Sequence, residues 1–135
     1  MNISSSRVSC WIVGLIFFFP SGITSAARVN ADVDSLVLTP HVHGIGYAKS
    51  RVLNRGSIPR LLEILGDPQH KRYWVNALVV LGFQEDPSVT GNLIDIYSRD
   101  TLQDDDADLR AHLAVPFALG AIAANRNDSR ALDFL

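Results

Sequence analysis

The sequence predicts an all-α fold, a short α-solenoid of antiparallel helix pairs preceded by a segment removed on export. Three observations predict it. Two stretches repeat each other: Arg72-Tyr-Trp-Val-Asn-Ala-Leu-Val-Val-Leu-Gly82 and Arg110-Ala-His-Leu-Ala-Val-Pro-Phe-Ala-Leu-Gly120. After each glycine, at the same distance, comes a second apolar stretch, Leu93-Ile-Asp-Ile-Tyr97 and Ala131-Leu-Asp-Phe-Leu135. Between and before them, apolar residues recur with a helical period and stop at Gly66-Asp-Pro68 and Glu85-Asp-Pro87. Repetition on this scale marks supersecondary units that bury their apolar faces by stacking on their neighbours.

Residues 1–27 are expected to form a secretory signal peptide. Arg7 supplies the positive start, Trp11 to Phe19 the apolar centre, and Ser21 to Ala27 a polar stretch ending in small residues. Cleavage after Ala27 places Ser25 and Ala27 in the small-x-small pattern. The apolar run of nine residues is well short of the roughly 18–20 that span a bilayer, so an anchor is the weaker reading. Cys10 precedes the apolar run and is not placed like a lipidated cysteine. The remaining chain of about 108 residues suffices for one domain with a modest core. It contains no cysteine, which excludes a disulfide scaffold and a thiolate zinc site and suits an oxidising compartment. A secreted or periplasmic location is expected.

Residues 28–46 read as an extended or irregular leader. Leu36-Val-Leu38 is closed by Thr39-Pro40, and His41-Val-His-Gly-Ile-Gly46 reads as a turn. Helical repeats are expected over 47–135. Tyr47–Asn54 has helical propensity, with Arg55-Gly56 as its stop. Ser57 is expected to cap the next helix, with Pro59 early, where its missing N–H costs little. Ile58, Leu61, Leu62 and Leu65 form one apolar face. A second helix, His70–Phe83, is apolar nearly all round at its centre and so should have neighbours on several sides. Asp86 is expected to cap a third helix, Pro87–Ser98, with Val89, Leu93, Ile96 and Tyr97 on its buried face. The fourth, Ala107–Ala124, is expected to bury Leu109, Leu113, Phe117 and Ile122. Pro116 inside it removes a bond to the His112 carbonyl and predicts a kink. After the polar loop Asn125–Asp128, Ser129–Leu135 begins a fifth helix. Leu61 to Leu93 is 32 residues and Gly82 to Gly120 is 38; the difference of six lies in the connection Arg99–Asp106.

The pattern Ile58-Pro-x-Leu61-Leu-x-x-Leu65-x-Asp67-Pro, then Arg72-x7-Val80-Leu81-Gly82 and again Arg110-x7-Ala118-Leu-Gly120, resembles HEAT repeats, in the flavour first named from phycobilisome lyases. The resemblance covers about residues 47–135, some two repeats and the start of a third. It implies a right-handed solenoid and says little about function. It also implies repeat-packing roles for Gly82 and Gly120, and pairs between turn aspartates and helix arginines: Asp67 with Arg72, and Asp106 or Asp108 with Arg110. Pro116 departs from the pattern.

Few residues point to chemistry. His41-x-His43 places two imidazoles near each other, with Asp32, Asp34, His70 and His112 as further candidates for a metal, though a site needs three or four ligands. Solvent-facing histidines in a leader are the simpler reading. Asp104-Asp-Asp106-x-Asp108 lacks the donor spacing and closing Glu of an EF-hand loop, and fits carboxylates at a helix start better. Neither nucleophile motif nor phosphate loop is present, Gly44-Ile-Gly46 being a fragment only. No catalytic residue, cofactor or metal site is therefore assigned. Tyr73 and Trp74, the latter the single tryptophan after residue 27, are the candidate anchors for a partner, with core packing as the alternative.

Charge is uneven. Arg28–Arg72 carries seven Lys or Arg against four Asp or Glu, and Tyr73–Leu135 four against ten. The balance argues against nucleic acid, which needs a dense basic face. The expected function is a non-catalytic protein- or peptide-binding module, exported, with no membrane role beyond its export signal. Two alternatives stand beside it: an accessory of the lyase kind, which export disfavours, and an N-terminal piece of a longer repeat protein. The apolar Leu132, Phe134 and Leu135 also suggest self-association through the C-terminal helix.

Overall fold

The computed structural model describes residues 22–99 and 106–135, with side chains from residue 25 onward. The apolar run Trp11–Phe19, Asp104 and Asp105 lie outside them. Among the described residues the regular elements are all helices.

The first correction concerns the leader. Residues 28–37 are not extended; they belong to α1, Gly22–Val37. Val29, Val33 and Val37 fall at i, i+4 and i+8, and Val33 and Val37 are completely buried. Asp34 fixes the helix from the polar side, accepting from Arg60 Nε at 2.9 Å and Nη2 at 3.1 Å. The Asp34 and Glu63 carboxylates raise the Arg60 pKa above its ordinary value. Thr39, whose hydroxyl donates to the Ser35 carbonyl, and Pro40 close the helix. The turn expected at 41–46 is present, with Gly44 at φ +74°.

The helix expected over 47–54 is a single turn, α2, Tyr47–Ser50. A 3-10 turn, Arg55–Ser57, then leads into α3, Ile58–Gly66. Ser57 is not its cap: that residue is already helical in backbone, and its hydroxyl donates to the Asn54 carbonyl. Asn54 is the cap, its side chain accepting from Gly56 N–H at 2.8 Å. Leu61, Ile64 and Leu65 form the buried face of α3.

Three aspartates then punctuate the chain in the same way. Asp67 accepts from Gln69 N–H and opens a 3-10 turn, Pro68–Tyr73, before α4, Trp74–Gln84. Asp86 accepts from Ser88 N–H and opens Pro87–Val89 before α5, Thr90–Tyr97. Asp128 accepts from Arg130 N–H and opens α7, Ser129–Phe134. In each case the carboxylate satisfies a backbone donor that the helix start leaves without a partner. Between α5 and α7 runs α6, Asp106–Arg126.

The core is layered around α4 and α6, whose mutual contact is the most extensive in the fold. α4 also packs on α3 and α2, and α6 on α5 and α7. Two side-chain amides of α4 hold the N-terminal elements to this centre. Asn76 donates to the carbonyls of Val37 and Thr39, and the buried Gln84 to those of Ser50 and Leu53. Among the described residues α6 is the one helix long and apolar enough to cross a membrane. Its inward residues pack against α4, α5 and α7.

Candidate functional site

The contact between α4 and α6 decides which face of α6 is left outside. A Cβ built on Gly82 would lie 2.8 Å from Ala118 Cα and 3.2 Å from its Cβ. The two backbones approach too closely for any side chain at position 82. The inward face of α6 is accordingly small or β-branched: Ala111, Ala114, Val115, Ala118, with Leu119 and Ile122. The sequence reading placed Leu109, Leu113 and Phe117 inside as well. They are outside, at 52%, 66% and 49% exposure, and only Ile122 of that set is buried. Close approach selects small residues at the contact, so Leu109, Leu113 and Phe117 lie away from it.

The outward face borders an open groove of about 540 Å³, lined by Tyr47, Phe83, Phe117, Pro116, Gly120 and Ala121 among others. Three of its aromatic rings meet edge to face. Tyr47 and Phe83 are 5.2 Å apart at 85°, and Phe83 and Phe117 5.6 Å apart at 88°. Such geometry aligns ring edges with ring faces and is favourable beyond the area it buries. None of these three was singled out from the sequence, but the repeat carried a signal. A shift of 38 residues takes Val75, Leu78, Val79 and Gly82 onto Leu113, Pro116, Phe117 and Gly120. On α4 that set is buried or half-buried; on α6 Leu113 and Phe117 are exposed.

The two repeat glycines thus differ. A Cβ on Gly120 would meet only Leu135 Cδ1, at 4.0 Å, so position 120 has no close helix approach. The arginine pairs are also only partly as expected. Arg110 does pair with Asp106, at 2.6 Å, on the surface. Arg72 is not paired with Asp67, whose carboxylate is taken by Gln69 N–H and lies 3.0 Å from His70 Nδ1. The Arg72 guanidinium sits over the Tyr73 ring, 4.6 Å from its centroid. Asp108, buried at the start of α6, pairs with Lys71 in place of Arg110.

Trp74 is half-buried, and its indole N–H donates to the Ile64 carbonyl at 2.9 Å and the Asp67 carbonyl at 3.3 Å. It ties the start of α4 to the end of α3. Its remaining surface lines a second groove, of about 380 Å³, with Lys71, Asp108 and His112. His112 in turn stacks on Tyr97, 3.8 Å between centroids.

His41 hydrogen-bonds through Nε2 to the Leu36 carbonyl at 2.7 Å, and His43 is exposed. Among the described residues no three His, Cys, Asp or Glu side chains are grouped to hold a metal. The carboxylates of Asp86 and Asp128 are both held below the usual carboxylate range. The Ser88 backbone N–H is the main cause at Asp86, and the Thr90 hydroxyl, 2.6 Å away, at Asp128. These groups fasten the α4–α5 and α6–α7 turns and do not face a cavity. No family model, curated protein or solved structure matches the chain.

Proposed function

We propose that this chain is an exported helical-repeat module of the HEAT-like kind that binds a partner protein and performs no chemistry itself. The partner docks an apolar helix against the outward face of α6. The observation that carries the reading is the exposed row Leu109, Leu113, Phe117, running one helical turn apart beside an aromatic groove. Apolar side chains spaced in this way form a single stripe, and contiguous exposed apolar surface marks interaction sites. The repeat register adds direction. Leu113 and Phe117 correspond in that register to Val75 and Val79 of α4, which are half-buried within the fold, whereas Leu109 corresponds to Lys71 before α4. An inner helix of similar character is the natural complement of the Leu113–Phe117 part of the face. Leu132 and Leu135, also exposed, extend the apolar surface onto the C-terminal residues, where a second copy is the alternative occupant.

The expected cut after Ala27 falls within α1, ahead of its buried residues. Ser25 to Arg28 are exposed, and burial begins at Val29. A cut after Ala27 therefore removes no packed side chain from residue 25 onward.

A photo-crosslinking residue placed at position 113 or 117 of the full chain, in the cell that makes it, tests the docking face. Position 52 is the control, since Val52 is 82% exposed and lies in the turn after α2. A discrete adduct from 113 and 117 that is absent from 52 is expected. Leu113→Asp with Phe117→Asp should abolish the adduct without changing the helical circular dichroism. Central apolar anchors of this type are each worth about 2 kcal/mol or more of binding. Equal adducts from all three positions would remove the α6 face from consideration, and an adduct with a second copy would replace the foreign partner by self-association.

A further inference from the structure

Both repeat arginines line one cavity. Arg72 and Arg110, 38 positions apart in sequence, border a cleft of about 400 Å³ together with Pro40, His41, Tyr73 and Asn76. It lies between the start of α4, the start of α6 and the segment that follows α1. Among the described residues none that lines it is acidic. We infer that this cleft binds a small oxyanion of the phosphate type, with the Arg72 and Arg110 guanidinium groups as its principal donors.

The walls are built independently of those two groups. Asn76 spends its amide N–H groups on the Val37 and Thr39 carbonyls, at 2.9 and 3.3 Å, which holds the segment before Pro40 against α4. His41 is anchored through Nε2 to the Leu36 carbonyl, so that nitrogen carries a proton and the second ring nitrogen stays free of that bond. The cleft is therefore set by backbone-directed hydrogen bonds, and the arginines do not hold it open.

The arginines themselves are available. Arg72 is exposed, and its guanidinium lies over the Tyr73 ring, which orients the plane without using its N–H donors. Arg110 pairs with Asp106, but both side chains are largely exposed, at 69% and 72%. Exposed pairs are weak and exchange readily. A phosphate group presents several acceptor oxygens, and planar guanidinium forks match them in pairs, with charge assistance that neutral donors lack. Two such forks favour a doubly charged oxyanion over a neutral ligand. Arg110 would exchange Asp106 for the anion, so binding should compete with that surface pair.

Titration of the full chain with inorganic phosphate, followed by the arginine side-chain and Tyr73 resonances, tests the site. Saturable shifts in the millimolar range or tighter are expected. Arg72→Gln and Arg110→Gln should each weaken binding about tenfold, the loss of one charge-assisted contact. Asp106→Asn should tighten it, an effect that a purely structural Arg110 would not produce. Both arginines are exposed, so unchanged circular dichroism will show the variants folded. The inference fails if sodium chloride at matched ionic strength gives the same shifts, if both glutamine variants bind as the parent does, or if succinate binds and phosphate does not. Its failure leaves the α6 docking face untouched, because the two surfaces share no lining residue.

Discussion

Gly82 and Gly120 stand at equal positions of a repeat and carry different loads. At 82 the neighbouring helix backbone occupies the space of a Cβ, whereas at 120 there is room. Gly82→Ala should therefore force α4 and α6 apart and destabilise by about 1–3 kcal/mol, the usual cost of overpacking. Gly120→Ala meets only an ordinary contact and removes a flexible residue from a helix interior. It should be neutral or stabilising by up to about 1 kcal/mol. Urea midpoints of the two variants against the parent decide the matter, and equal midpoints would contradict the asymmetry. Both glycines were visible in the sequence as a matched pair. What the sequence alone did not show was that the contact at 82 dictates small residues on one side of α6. That consequence moved Leu109, Leu113 and Phe117 from core to surface. Hydrophobicity says that a side chain seeks burial; it does not say which of two apolar faces a neighbour will take.

At the scale of the elements, the punctuation was the most legible part of the chain. Asp86-Pro87 announces a helix start by chemistry that acts within a few residues, and Asp86 caps as that chemistry requires; Asp67-Pro68, expected as a helix stop, caps the next turn in the same way. Ser57 misled because Asn54, three residues earlier, offered the better acceptor to a 3-10 turn. Asn76 and Gln84 were not legible at all, since their partners are carbonyls 31 to 39 positions away. The caps also give the fold a pH dependence. The Asp86 and Asp128 carboxylates have folded pKa values below their ordinary value. Their contribution is complete above the unfolded pKa of about 3.9. It is lost as pH falls through the lower folded values, where the unfolded chain binds the proton first. The urea midpoint should be insensitive to these groups between about pH 5 and 7 and fall below about pH 4. With Asp86→Asn and Asp128→Asn combined, that acid fall should be shallower. At neutral pH, Asp86→Ala should cost about 1 kcal/mol, as the loss of a helix cap does. An acid limb of unchanged steepness in the double variant would show that the caps do not titrate as their geometry implies.

For the whole molecule, the boundary of the domain is the lesson with most consequence. The sequence suggested that order begins near residue 47, because Arg28–Pro40 holds only a short apolar run between polar residues. Its helical face is thin: Val29, Val33 and Val37, interrupted by Asn30, Asp32 and Asp34. That face is nonetheless completed by tertiary contacts. Val33 and Val37 enter the core, Asp34 grips Arg60, and Asn76 of α4 fastens the end of the helix. Tertiary packing overrides weak local propensity, as it commonly does. Among the described residues, burial thus begins within α1, between the exposed Arg28 and the buried Val33. Two shortened chains separate this from the leader reading. A chain beginning at Arg28 keeps the buried Val33 and Val37 of α1 and should melt within about 4 °C of the full chain, the shift that about 1 kcal/mol produces in a domain of this size. A chain beginning at Leu38 loses two buried valines and the Asp34–Arg60 pair. It leaves Arg60, 19% exposed, without that partner, and exposes the Asn76 amide. Its melting temperature should fall by roughly 10 °C or more, on the same scaling. If the two chains melt together, α1 is an appendage and the domain begins after it. If the longer one alone melts with the full chain, the expected cut after Ala27 leaves the fold whole.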